Sequence, residues 1–262
     1  MKHAMTAIIR KDLRGIAANK RLFSALLIVP IVLTIVLPTI FILTLHFAPT
    51  EADDFQRLLQ MLPVTEQHGD FSKTVAALIL NYILPVFFLM IPIMTASIMA
   101  ASSFVGEKEK HTLETLLYCP LSLKQIFRSK VLASFLLSMT VSILSFLAMI
   151  VVLETEIFFT FVGFLLPDIK WLFIMLLISP AISLIAITLI VRFSAKAQSV
   201  EEAQQGAIFL ILPVLLLIVG QFTGVLLIST WILLAIGVVC ALLAWLLLKK
   251  AMGKFHYEML LK

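Results

Sequence analysis

The stretch AIFLILPVLLLIVGQFTGVLLISTWILLAIGVVCALLAWLLL, residues 207–248, runs for 42 positions without an Asp, Glu, Lys, Arg or His. As one helix rising 1.5 Å per residue it would be about 63 Å long, against about 30 Å for the hydrocarbon core of a bilayer. It therefore holds two membrane crossings, with a turn between Gly220 and Thr230. The segment GQFTG, residues 220–224, comes only 14 residues into the run. That is short for a full crossing and predicts a backbone break with re-entry near the outer leaflet, a geometry tolerated where protein buries it. The alternative places the turn at Ser229-Thr230 and gives spans 207–228 and 229–248.

The rest of the chain has the same character. It is 61% hydrophobic and 13% charged, with a mean hydropathy of +1.11, where a soluble domain is roughly 45–50% apolar. Further apolar runs lie at 22–47, 75–101, 131–153 and 171–191, and every Asp, Glu, Lys and Arg falls between them. Such segregation suits helices in lipid, where a charge at a helix centre costs about 2.5–3.5 kcal/mol. Short alternating strands, the mark of a barrel, are absent. The expected fold is an all-α integral membrane protein: one transmembrane domain over residues 1–262, six transmembrane helices, set multi-pass in the plasma or inner cell membrane.

Lys and Arg set the orientation. Segments 1–21, 104–130, 192–206 and 249–262 hold 6, 5, 2 and 4 of them, whereas 48–74, 154–170 and the last hairpin hold 2, 1 and 0. By the positive-inside rule both termini are cytosolic, and the acidic loop 48–74 is external. The basic first segment precedes an apolar run longer than the 7–15 residues of a cleavable signal core, so it reads as a retained anchor. Within it Ile9, Leu13 and Ile16 share one helical face and Arg10, Arg14 and Arg21 another. That predicts an interfacial elbow helix over 1–21 with its basic side toward lipid phosphates.

Catalytic and metal signatures are sparse. No GxxxxGK[ST], HExxH or GxSxG occurs, so the chain brings no phosphate-cradling loop of its own and is not expected to be an enzyme. Cys119 and Cys240 form no CxxC pair, the five histidines are scattered, and no metal site or nucleic-acid partner is expected. Glu201-Glu202 resembles the start of the EExxxR motif of intramembrane CAAX-type proteases, but Gly206 stands at the third position and no ligand histidines follow.

Six prolines (Pro30, Pro38, Pro85, Pro92, Pro180 and Pro213) lie within spans and predict places where helices bend. Asn81, Tyr82, Thr95 and Ser97 in the second span, with Gln221 and Thr223 in the last hairpin, are candidate pathway residues. The competing reading is that they hydrogen-bond to neighbouring helices.

Between the second and third spans stands FVGEKEKHTLETLLYCPLSLKQIFRSKVL, residues 104–132. Leu113, Leu116 and Leu117 fall on one helical face and Glu107, Lys108, Lys110 and Glu114 largely elsewhere. The carboxylates crowd the start of a short amphipathic helix over 107–117, where the helix dipole favours them. Pro120 ends it, and Ser122 with Gln125 has capping-box spacing for the next helix; Ser199 with Glu202 repeats that spacing before the fifth span.

The 104–132 segment resembles the signature of the type-2 ABC transporter permease family, GEKE-x-GTLE-x-LL-x-x-P, through Gly106, Glu107, Lys108, Glu109, Thr112, Leu113, Glu114, Leu116, Leu117 and Pro120. His111 stands where that family usually has Gly. AKAQSVEEAQQ, residues 195–205, is similar to the segment before the fifth span in the sodium-exporter-like branch. The resemblance implies a permease that pairs with a second copy or a homologous permease and rests on separate ABC ATPase subunits. ATP and Mg²⁺ would be bound on those subunits and no cofactor by this chain. It also implies that the loop 104–122 carries a coupling helix, with Leu113, Leu116 and Leu117 as apolar contacts and Glu107 and Glu109 as charged ones. The expected function is ATP-driven export of an ion, a peptide or an amphipathic small molecule. The alternative is a self-sufficient ion-coupled carrier or channel.

Overall fold

Six helices long and apolar enough to cross a membrane run through the chain: Lys20–Thr44, Thr74–Glu109, Leu123–Phe159, Lys170–Ser194, Val200–Gln221 and Thr230–Gly253. They are seen in a computed structural model that describes residues 2–47, 71–110, 112, 121–161, 167–194, 196–222 and 230–254. The described residues are helical apart from short connections.

An additional helix, α1 (Lys2–Ala18), precedes the first span and ends at Asn19, whose side chain accepts from the backbone N–H groups of Arg21 and Leu22 and so caps the next helix, α2 (Lys20–Ile31). The face expected to be apolar is the one that packs: Ile16, with Ile9 and Leu13, sits against Leu26, Ile98, Met99 and Ala133, while Arg10, Arg14 and Arg21 are exposed. That apolar face is covered by the helix bundle.

The second and fourth spans form the centre, with 83% and 67% of their apolar windows buried, against 17–28% for the other four. They carry the interior residues of the two main cores: Ile83, Phe88, Ile91 and Trp171 in one, and Ala100, Val105, Ala186 and Ile190 in the other. Phe88, Phe146 and Trp171 stack edge to face or tilted, with centroids 5.1–6.1 Å apart, tying together the second, third and fourth spans.

Proline shapes three spans by one device. Each of the π-helical turns Val32–Val36, Ile79–Ile83 and Ile174–Ile178 ends two residues before a proline, at Pro38, Pro85 and Pro180. Proline has no N–H to donate, and its ring clashes with the carbonyl four residues back. In each case the residue just before it reaches one residue further than in an α-helix: Leu37 to Val32, Leu84 to Ile79 and Ser179 to Ile174. The wider turn makes room for the ring. Leu80, whose carbonyl in that register faces the N–H Pro85 lacks, instead accepts from the indole Nε1 of Trp171 at 3.1 Å. The bends expected from these prolines are thus expressed as π turns.

Helix bounds depart from the apolar runs in one direction, outward. After α3 (Leu37–Phe47), α4 (Phe71–Leu78) and α5 (Leu84–Phe88), the second span continues to Glu109 in the helix α6 (Met90–Glu109), and α7 (Leu123–Phe161) is 39 residues long, about 58 Å at 1.5 Å per residue. Buried Lys130 and half-buried Glu156 therefore belong to helices, but within about nine residues of their ends, beyond the ~30 Å hydrocarbon core. The fifth crossing begins at Val200 rather than Ala207 and has 22 residues by Gln221. Its length removes the need for a break at 220–224; Thr223 and the turn itself lie outside the described residues.

Candidate functional site

The GEKE segment does not open a new helix: Glu107 and Glu109 close α6, whose cap is Lys110. This corrects the placement of those carboxylates at a helix start, because acids at a C-terminus oppose the helix dipole and need another source of compensation. Lysines from two other helices supply it. Glu107 is 6% exposed, with Lys11 of α1 2.5 Å from its Oε1 and Lys130 of α7 2.9 Å from its Oε2. Lys130, 3% exposed, also donates to the carbonyl of Ser103 and lies 3.9 Å from Asp12 of α1. The Ser103 hydroxyl donates to Asp12 at 2.5 Å. Burial pushes the Asp12 carboxyl above its usual range, with Lys130 and the Ser103 hydrogen bond pulling the other way. One ionic knot thus fastens α1, the end of α6 and the start of α7.

Glu109 reaches in a different direction. Its Oε2 accepts from the backbone N–H of Val200 at 3.3 Å, at the start of the short helix Val200–Gln204. There the Ser199 hydroxyl accepts from Glu202 N–H at 3.1 Å and Glu202 from Gln198 N–H at 2.7 Å. The Ser199 and Glu202 spacing is therefore a working cap, and the Glu201-Glu202 pair serves a helix start. The other spacing is reciprocal: Gln125 N–H donates to the Ser122 hydroxyl at 3.4 Å and Ser122 N–H to Gln125 at 3.0 Å. Gly106 faces Val200, a Cβ there standing 3.7 Å from its Cγ2. The end of α6 and the start of the fifth crossing are thus joined through Glu109 and Gly106.

Of the candidate pathway residues, Asn81, Tyr82 and Gln221 line one cavity of about 30 Å³ between the second, fourth, fifth and sixth spans. Gln221 is 4% exposed and its Oε1 has no hydrogen-bond donor. Asn81 accepts from Asp168 N–H at 3.0 Å. Lys170, assigned to a loop by its neighbours in sequence, is buried in the same wall, 3.7 Å from the Tyr82 ring centroid and 3.3 Å from Asp168. Thr95 and Ser97 stand apart from it. Thr95 donates to Ile91 O at 2.8 Å and meets the Ser138 hydroxyl at 3.1 Å, and Ser138 meets Ser183 at 3.0 Å, while Ser97 donates within its own helix to Ile93 O. Thr95 is thus linked through Ser138 to the third and fourth spans, and Ser97 is bonded within the second.

Thr112 donates back to Glu107 O at 3.4 Å. Leu113, Glu114, Leu116, Leu117 and Pro120, together with His111 and Cys119, lie outside the described residues. Sequence reasoning missed Asp12, Lys130 and Lys170, because nothing in one chain's order pairs residues 23 to 118 positions apart. Ser134, Ser138 and Ser142 were findable: their four-residue spacing draws a hydroxyl line along one helix face, and all three are buried.

Residues 3–235 match a protein-family model described as ABC-2 type transporter. No curated protein and no solved structure matches the chain.

Proposed function

The chain belongs to the ABC-2 type transporter family and is the membrane permease part of an ABC transporter, and we propose that it works as an exporter driven by separate ATPase subunits. Two copies, or one copy with a homologous permease, form the pathway in the plasma or inner membrane. The ATPase subunits bind ATP and Mg²⁺ at the membrane side that carries both termini, and the segment 104–122 docks onto them through Leu113, Leu116 and Leu117. The cargo is an ion, a peptide or an amphipathic small molecule, in keeping with the likeness of residues 195–205 to the sodium-exporter-like branch.

The observation that carries this reading is the seat of Glu107. It ends the most buried span and is gripped by Lys11 and Lys130, so a push on the segment that follows reaches α1 and α7 at once. Glu109 passes the same push to the fifth span through Val200. Glu107 is accordingly a transmitting residue inside the chain, and docking falls to the leucines. The chain has no phosphate loop, so the energy must enter at such a handle. Reconstitution with the candidate ATPase and substitution of Leu113 and Leu116 by Asp tests it. Loss of permease-stimulated ATP hydrolysis and of ATP-dependent export is expected, and undiminished values in both variants overturn the docking assignment. Transport by this chain alone on an ion gradient, without ATP, would establish the ion-coupled alternative.

A further inference from the structure

Beside the ionic knot, between α1 and the end of α6, lies a cavity of about 190 Å³ lined by Lys11, Asp12, Gly15, Asn19, Ser102 and Lys110 among others. That is at least tenfold the ~10–15 Å³ that admits one water. Its carboxylates are engaged: Asp12 by Ser103 and Lys130, Glu107 by Lys11 and Lys130. The side chains of Lys110 and Ser102, both in the wall, make no hydrogen bond or ion pair among the described residues. The wall holds Lys11 and Lys110 against Asp12 and Glu107, and because Lys130 behind it engages both carboxylates, Lys110 is left as the cation without a counter-charge. A Cβ added at Gly15 meets nothing within 4 Å, so the missing side chain keeps the cavity open.

The level of the cavity narrows the ligand. Asn19 immediately precedes the first span, which puts the α1 side of the cavity at the depth of lipid phosphates, and Lys110 closes the cavity from the end of α6. Exposed Arg10, Arg14 and Arg21 crowd the same helix region and raise the local concentration of anions. Met99 lines the inner end, about 10 Å deeper along α6 than Gly106, giving an apolar wall toward the bilayer.

We propose that this cavity binds a phosphoester, the phosphodiester headgroup of a membrane glycerophospholipid, on Lys110 and Ser102, and that the bound group braces α1 against the end of α6. The test uses the full chain purified in detergent and measures binding and the shift of its melting temperature. The probes are dioctanoylphosphatidylglycerol, dioctanoylglycerol, which lacks the phosphate, and inorganic phosphate. Saturable stabilisation by the phospholipid and none by dioctanoylglycerol is expected. Lys110→Gln and Gly15→Leu each weaken it at least tenfold, whereas Arg10→Gln changes it less than twofold. Both test positions face open space, so the variants fold, and Gly15→Leu blocks the cavity without altering charge. Equal protection by inorganic phosphate assigns the site to a soluble phosphoester. Equal protection by dioctanoylglycerol, or wild-type affinity in both Lys110→Gln and Gly15→Leu, overturns the site.

Discussion

Lys130 Nζ lies 2.9 Å from Glu107 Oε2, and the two side chains are only 4% and 7% exposed. The contact joins the last turn of α6 to the start of α7, across a connection of which Leu113 to Pro120 are outside the described residues. A buried pair adds little over a well-packed apolar pair, yet it is costly to halve, because the remaining charge is left in a poor solvent.

Glu107→Gln and Lys130→Gln should each destabilise the protein by about 3–5 kcal/mol. The double variant removes both members of the contact, leaving Asp12 without Lys130 and half-exposed Lys11 without Glu107, and should lose less than the two single losses together. Thermal or denaturant unfolding of the four proteins measures this, and strict additivity would show that the contact carries no coupling.

Asp12 sets a pH dependence with a definite sign. Its folded pKa is raised, so its contribution to stability is full below the unfolded value of about 3.9 and is lost as pH rises through the folded value. Asp12→Asn removes this loss. The stability of the variant relative to wild type should therefore climb as pH rises across that window and then level off. Melting curves through that pH range read it directly; a relative stability that falls would contradict the burial argument.

Ser138→Ala should cost roughly 0.6–2 kcal/mol, the range for hydroxyl bonds between membrane helices. The hydroxyl meets Thr95, Ser183 and the Pro92 carbonyl at 3.0–3.1 Å, so one substitution touches three spans. Ser138→Leu should cost more by overpacking. Unfolding in mixed detergent distinguishes the two, and Ser194→Ala, whose hydroxyl donates only within its own helix to Ile190 O, should be milder than either.

At Gly237 the sixth span lies close against the fourth: a Cβ there would stand 2.5 Å from Leu177 Cδ2 and 3.2 Å from Ile178 Cγ1. Gly237→Val should cost about 1–3 kcal/mol. Gly237→Ala should be milder, since the Leu177 methyl can turn away. Gly253→Ala, at a position open to 4 Å, should be tolerated, and equal losses at 237 and 253 would rule out the contact as the cause.

How much of this was legible in advance differs from element to element. Apolar runs located all six crossings because lipid admits long apolar helices whatever their neighbours. The pairs Ser122 with Gln125 and Ser199 with Glu202 are local, since a cap is satisfied within three residues. The amphipathic face of α1 was likewise periodic and local. The ends of the second and third spans were not, because hydropathy falls where charge begins while the backbone keeps its helical bonds through Glu109 and from Leu123.

By itself, then, the order of residues determined that the chain crosses a membrane six times and that Ser122 and Ser199 cap two of its helices, which follow from solvent and from bonds spanning a few residues; of the six prolines it offered as bend points, the structure set π turns before Pro38, Pro85 and Pro180. Only the tertiary structure decided that Glu107 faces inward to Lys11 and Lys130, that Glu109 holds the start of the fifth crossing, and that Lys170 sits against Tyr82 within a helix wall. Those choices turn on which helices are neighbours. A lysine or glutamate reads the same in sequence whether it is solvated or buried, and the difference is made by partners 23 to 96 residues away brought within 2.5 to 3.7 Å.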